Sequence, residues 1–211
     1  MNNFFFRCLM YLAGLFVLSL GVVLTIKSNV GIAPWDALNV ALSEKIGLTI
    51  GSWVFIVGGV LIFVNSTIKR SAPNVAGFIP ILIIGVFVDL LNLKLLSFVQ
   101  VDSLWIKWCL FFGGLSILAF GITIYLRASF PSVPNDELML AITDRTGWGI
   151  NITKTITEAI AFVLAIVLKG PVGLGTIIVV LCLGLLVGVF DQLLHKVGMP
   201  RALIVRGSVN E

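Results

Sequence analysis

Charge is scarce in this sequence. Lysine, arginine, aspartate and glutamate make up 11% of its 211 residues, while 59% are hydrophobic and the mean hydropathy is +1.12. That balance excludes an ordinary soluble domain. Histidine occurs once, as His195, at the end of the last apolar run, where it reads as an interface residue. With no second histidine, no HExxH and no GxSxG, enzymatic chemistry is not expected. The three cysteines, Cys8, Cys109 and Cys182, fall singly and without a CxxC neighbour. Neither a disulfide framework nor a zinc site follows, and no cofactor is implied. The net charge of +4 has no basic stripe behind it, so nucleic acid is not an expected partner.

Long apolar runs are what the chain has in quantity. A helix needs roughly 20 apolar residues to cross a hydrocarbon core. Runs of about that length lie near 8–26, 51–68, 75–93, 105–126, 150–168 and 172–194. The tryptophans Trp35, Trp53, Trp105, Trp108 and Trp148 all sit near the ends or connections of these runs, as amphipathic rings at a headgroup level do. The pattern predicts an all-α polytopic helix bundle with the lipid bilayer as its main partner. If the amino terminus is inside, Arg7, Lys69, Arg70, Arg127, Arg145, Lys154, Lys196, Arg201 and Arg206 are cytoplasmic. Lys27, Lys45, Lys94, Lys107 and Lys169 then lie outside. Nine against five predicts both termini in the cytoplasm, with 195–211 as a cytoplasmic tail. The first run follows Arg7 as in a signal peptide, but it is too long and lacks a clear cleavage site. It reads as a span of a single membrane domain covering 1–211.

The sequence repeats itself at a spacing of 100 residues. From Gly14 to Ile50, without a gap, Gly14, Gly21, Pro34, Asp36 and Gly47 recur as Gly114, Gly121, Pro134, Asp136 and Gly147. Apolar composition can align leucines by chance, but not Pro-x-Asp in the same register. The agreement fades through the third span of each half. Each copy, 8–93 and 105–194, holds three spans, and an odd number sets the two copies in opposite orientations. Inverted repeats of this kind are a common transporter plan. After the first span of each copy comes a short polar-amphipathic helix, 34–46 or 134–146, with proline at its first turn and glycine at its end. Both read as interfacial or re-entrant helices; if both crossed fully there would be eight spans and parallel halves.

Chemistry concentrates in the second copy. On a helix starting near 150, Asn151, Lys154, Thr155 and Glu158 share one face. Lys154 and Glu158 form an i, i+4 pair, either a structural ion pair or part of a polar stripe lining a cavity. Glu158 falls about halfway along its run, where a charge costs roughly 2.5–3.5 kcal/mol, so a proton- or ion-binding role is favoured. Asp36 and Asp136 each follow a proline at equivalent points, either capping their short helices or facing a shared cavity. Asp89 and Asp191 read as interface residues near span ends. Gly173-x-Gly175-Thr176 reads as a tight entry to the last helix.

These motifs carry a resemblance. GIAPWDALNVALSEKIGLTIGSW (31–53), VPNDELM (133–139), the Lys154–Glu158 pair and GPVGLGT (170–176) resemble the bacterial YczE/YyaS/YitT-like integral membrane proteins, most of all the YczE type. The resemblance implies a bacterial plasma (inner) membrane location. It also implies an Arg-Asp-Gly-like string over 135–137 and an arginine at 154, where this chain has Asn135, Asp136, Glu137 and Lys154. The functional expectation is a small-molecule or ion transporter, proton-coupled through an intramembrane carboxylate. The alternative is a non-transporting membrane regulator or scaffold. Six short helices leave little room for an enclosed pathway, which favours a homodimer.

Overall fold

The computed structural model describes residues 4–197, without the side chain of Asn151. Eight helices follow one another: α1 (Phe4–Ser28), α2 (Pro34–Ile46), α3 (Ile50–Lys69), α4 (Phe78–Asp89), α5 (Leu104–Arg127), α6 (Pro134–Thr146), α7 (Ile150–Val167) and α8 (Leu174–Lys196). A 3-10 turn, Val75–Gly77, leads into α4, and a π-helical segment, Leu90–Leu95, continues it. The described residues contain no strand. Five segments are long and apolar enough to cross a membrane: α1, α3, Val75–Leu95, α5 and α8. All six expected runs fall on helices, and α7, on the fifth of them, has 18 residues.

Local chemistry sets the short helices. Pro34 and Pro134 occupy the first helical turns, where a missing N–H leaves no bond unmade. Gly47 and Gly147 close them with φ of 93° and 71°, conformations that a Cβ disfavours. The first half of α2, from Pro34 to Ala41, is buried except for Asp36. It lies between α3 and α7, while α6 packs on α3 and α7. Trp35 is therefore only 7% exposed, and not the lipid-facing interfacial ring its position suggested.

At the centre α1 and α5 pack along their lengths. A Cβ built on Gly14 would fall 2.5 Å from the Tyr125 nitrogen, and one on Gly21 would fall 2.4 Å from that of Leu118. Gly121 meets Leu18, and Gly114 meets Leu24 and Thr25. Rising numbers on one helix meet falling numbers on the other, so the pair is antiparallel. Backbones this close gain dispersion contacts that a side chain at either glycine would block.

The other packing separates the two halves. Gly51 and Gly85 bring α3 against α4 so closely that a Cβ at Gly51 would sit 2.0 Å from the Gly85 carbonyl oxygen. One hundred residues later those positions hold Asn151 and Leu185. There α7 and α8 stand apart, with almost no contact between them.

Asp89 and Asp191, expected at interfaces, each hold a helix end. Asp89 accepts from the Gly51 N–H at 2.8 Å and the Thr49 hydroxyl at 2.5 Å, satisfying the first turn of α3. Asp89→Ala should cost about 1 kcal/mol, as lost helix caps do, read as a lower midpoint of unfolding. Arg127 on α5, expected as a cytoplasmic topology signal, is 6% exposed and reaches Asp191 on α8. At the entry to α8 the Gly173 N–H donates to the Thr176 hydroxyl at 3.2 Å, as the tight glycine turn suggested.

Candidate functional site

The charged residues of α7 are organised by helical geometry. Positions 154 and 158 are one turn apart, so both side chains leave the same face, toward α2 and α6. The Lys154 ammonium lies 2.9 Å from Glu158 Oε1 and 3.5 Å from Asp136 Oδ1. The Tyr125 hydroxyl donates to the other Asp136 oxygen at 3.1 Å. A chain of polar contacts thus runs from α5 through α6 to α7. Asp136 is spent on Tyr125 and Lys154 rather than on its own helix. The residues preceding α2 and α6, Ala33 and Val133, make no side-chain cap, so neither aspartate acts through the capping arrangement considered from sequence.

These groups border a cavity of about 140 Å³ between the two halves. Its wall takes residues from both copies at a spacing of 100: Val22 and Ile122, Asp36 and Asp136, Gly58 and Glu158. Asp36 enters from α2 on the side facing Glu158, close enough for their charges to interact. The wall therefore holds three carboxyl groups, Asp36, Asp136 and Glu158, against one ammonium, Lys154. Asn39, one turn beyond Asp36, lines the same space, and its Oδ1 has no hydrogen-bond partner among the described residues. Such a buried acceptor costs roughly 1–3 kcal/mol unless something donates to it.

Two further hollows adjoin this one. One of about 430 Å³ shares Asp136, Lys154 and Glu158 and continues between α5, α6 and α8. The other, about 230 Å³, lies in the gap between α7 and α8 and is apolar except for Thr155, Glu158 and Thr176. Glu158 borders all three. Thr155 borders the outer two and not the central cavity. Of the residues singled out by sequence, the structure brings Asp36, Asp136, Lys154 and Glu158 together, sets Thr155 to one side, and leaves the Asn151 side chain outside the described residues. Tyr125 and Asn39 were not among the expected site residues. Asn39 carried a signal, a polar group one turn from Asp36 on the same helix, whereas Tyr125 carried none, its partner Asp136 lying 11 residues further along the chain. Among the described residues no group of three histidine, cysteine or acidic side chains could hold a metal ion.

The uncharacterized protein YyaS of Bacillus subtilis is 39% identical over 186 residues, covering 88% of this chain and 92% of that protein. The uncharacterized membrane protein YczE of the same organism is 33% identical over 181 residues, 85% of this chain and 83% of YczE. An uncharacterized protein of Haemophilus influenzae is 26% identical over 185 residues, 88% of this chain and 83% of its own length. No solved structure matches the chain significantly. The model of the family of unknown function DUF6198 matches residues 5–192. With that match over most of its length, the chain belongs to the DUF6198 family, and it is similar to the membrane protein YczE.

Proposed function

We propose that the chain is a small secondary transporter of the bacterial plasma membrane, moving a small solute or ion in exchange or symport with protons carried by Glu158. The observation that carries this reading is the meeting of Asp136, Lys154 and Glu158 at a cavity between the two halves. A carboxyl group midway along a spanning helix is costly to keep without a task, and a lysine one turn away can exchange partners as it gains or loses a proton. On this reading α7 also spans, making six crossings, and both termini are cytoplasmic. The halves are inverted repeats, and the cavity groups bind and carry protons rather than catalyse.

The contact pattern supports the inversion. Shifting one partner forward by 100 residues and the other back turns Gly14 against Tyr125 into Gly114 against Thr25, and Gly21 against Leu118 into Gly121 against Leu18. Both image contacts are present. A two-fold relation between antiparallel halves produces such exchanged pairs. Sites near the midplane between inverted halves are the usual place for solute and ion binding in transporters.

The test is solute-dependent proton movement in proteoliposomes carrying a trapped pH indicator, across a panel of small solutes. Glu158→Gln keeps the size of the side chain and removes its titration, so proton movement should fall at least tenfold while solute exchange without a gradient continues. An unchanged pH profile in Glu158→Gln would remove its proton role, and no movement with any solute would remove the reading. A second reading, a non-transporting regulator or scaffold, draws on α8. Only 11% of its most apolar stretch is buried, and a Cβ at Gly184 or Gly188 would meet nothing within 4 Å. A partner co-purifying in fixed ratio, with flux absent, would favour it.

A further inference from the structure

We infer that the site takes a protonated amine bearing an apolar tail, and that the tail lies in the gap between α7 and α8 where the bundle opens sideways. This rests on the transport reading only in treating the amine as cargo; binding is tested on its own.

The head is assigned by charge and by donors. Three carboxyl groups and one ammonium line the central cavity, leaving acidic groups that Lys154 does not balance. An ammonium head supplies positive charge and N–H donors together. The second requirement comes from Asn39, 6% exposed, whose buried Oδ1 awaits a donor beside Asp36. A quaternary ammonium has the charge without the N–H, and an anion has neither.

The tail is assigned by the shape of the adjoining space. The hollow between α7 and α8 is walled by Ala159, Phe162, Ile177, Val180 and Leu181, with Thr155, Glu158 and Thr176 its only polar lining residues. In the first half Gly51 and Gly85 instead bring the matching helices, α3 and α4, into close contact. Leu181, on the α8 side of the hollow, is 67% exposed, so the gap presents an apolar side chain at the surface. Glu158 therefore stands where a carboxyl-rich chamber meets an apolar slot open to the side. Molecules with one charged end and one greasy end match that junction, and they partition into bilayers from which such a slot is reached.

The probe is decylammonium, measured against the protein in nanodiscs of zwitterionic lipid with empty discs subtracted. Methylammonium supplies the head alone, decanoate the tail with the wrong charge, and decyltrimethylammonium the charge without N–H donors. Decylammonium should bind at least tenfold more tightly than each of the three. Ala159→Trp fills the slot at an exposed position and should weaken decylammonium at least tenfold while leaving methylammonium unchanged. Asp36→Asn should weaken both amines. Equal affinity of wild type and Ala159→Trp for decylammonium overturns the lateral slot, and decanoate binding as tightly as the amine overturns the cationic head. Solute-coupled proton flux without amine binding would sink this inference and spare the transport reading. Slot-dependent binding without any flux would do the reverse.

Discussion

Gly121→Leu should destabilise the bundle by roughly 3 kcal/mol, at the upper end of what overpacking costs in a well-packed core. The reason is what stands in the way. A Cβ at Gly121 would lie 2.3 Å from the Leu18 nitrogen and 2.7 Å from its Cα. Backbone cannot swing aside as a flexible side-chain tip does, so α1 and α5 must separate. That separation breaks the contact at the centre of the molecule, where Leu18, Val22, Leu118 and Tyr125 share one buried cluster. The image substitution, Gly21→Leu, meets the Leu118 nitrogen at 2.4 Å and should cost about the same. Gly184→Leu and Gly188→Leu are the internal controls. Nothing lies within 4 Å of either added Cβ, and their effects should stay within about 0.5 kcal/mol. Reversible unfolding in mixed micelles, titrated with SDS, measures all four. Equal losses would mean that glycine acts here through helix flexibility and not through close approach.

Gly184 has a second use in the same series. Leucine there fills part of the hollow bordered by Asp136, Lys154 and Glu158 without touching the fold. A stable Gly184→Leu protein with reduced solute movement would separate the pathway from the packing. Few positions in a membrane bundle allow that separation, because most small residues sit where helices already touch.

Much of the architecture was legible because it is written in residues with narrow backbone preferences. Pro34 and Gly47, and their images, marked the ends of α2 and α6 to the residue. The four-residue step from Lys154 to Glu158 fixed one helix face, and Pro-x-Asp at a spacing of 100 linked Asp36 to Asp136 before any contact was known. What escaped were the directions in which side chains point. Trp35 carried the mark of a headgroup residue, but tryptophan reports only an amphipathic setting, and a buried cavity edge is another such setting. Arg127 looked like one more cytoplasmic cation, since the sequence cannot reveal Asp191 on a helix 64 residues away. The fading of the repeat through the third span of each half did carry information. It went with a divergence in packing, α3 closing on α4 through Gly51 and Gly85 while α7 and α8 stand apart.

The cavity depends on α8 staying docked. Its inner face packs on α5 through Val179, Leu183 and Phe190, although only 11% of its most apolar stretch is buried. An ionic contact adds to that packing. Arg127 donates through Nε and Nη2 to Asp191 Oδ1 at 3.0 and 2.7 Å, and through Nη2 to the Asp191 carbonyl at 2.5 Å. The guanidinium side chain is 3% exposed and the carboxylate 26%, so the pair is largely desolvated. Replacing such a pair as a whole by apolar groups is often neutral, but removing one member leaves a charge stranded and costs about 3–5 kcal/mol. Arg127→Met should therefore be among the most damaging single changes in the chain, while Arg127→Met combined with Asp191→Leu should recover much of the loss. Asp191→Asn keeps an acceptor for the guanidinium and should fall between wild type and Arg127→Met. The same SDS titration gives the energies, and labelling of Cys182 on α8 in a background without Cys8 and Cys109 reports whether the helix has left the bundle. If the double substitution is no better than Arg127→Met, the pair matters for its geometry, two fork-shaped bonds fixing the angle of α8, and not for the balance of its charges. In that case the gap between α7 and α8 is set by the guanidinium as much as by the residues that line it.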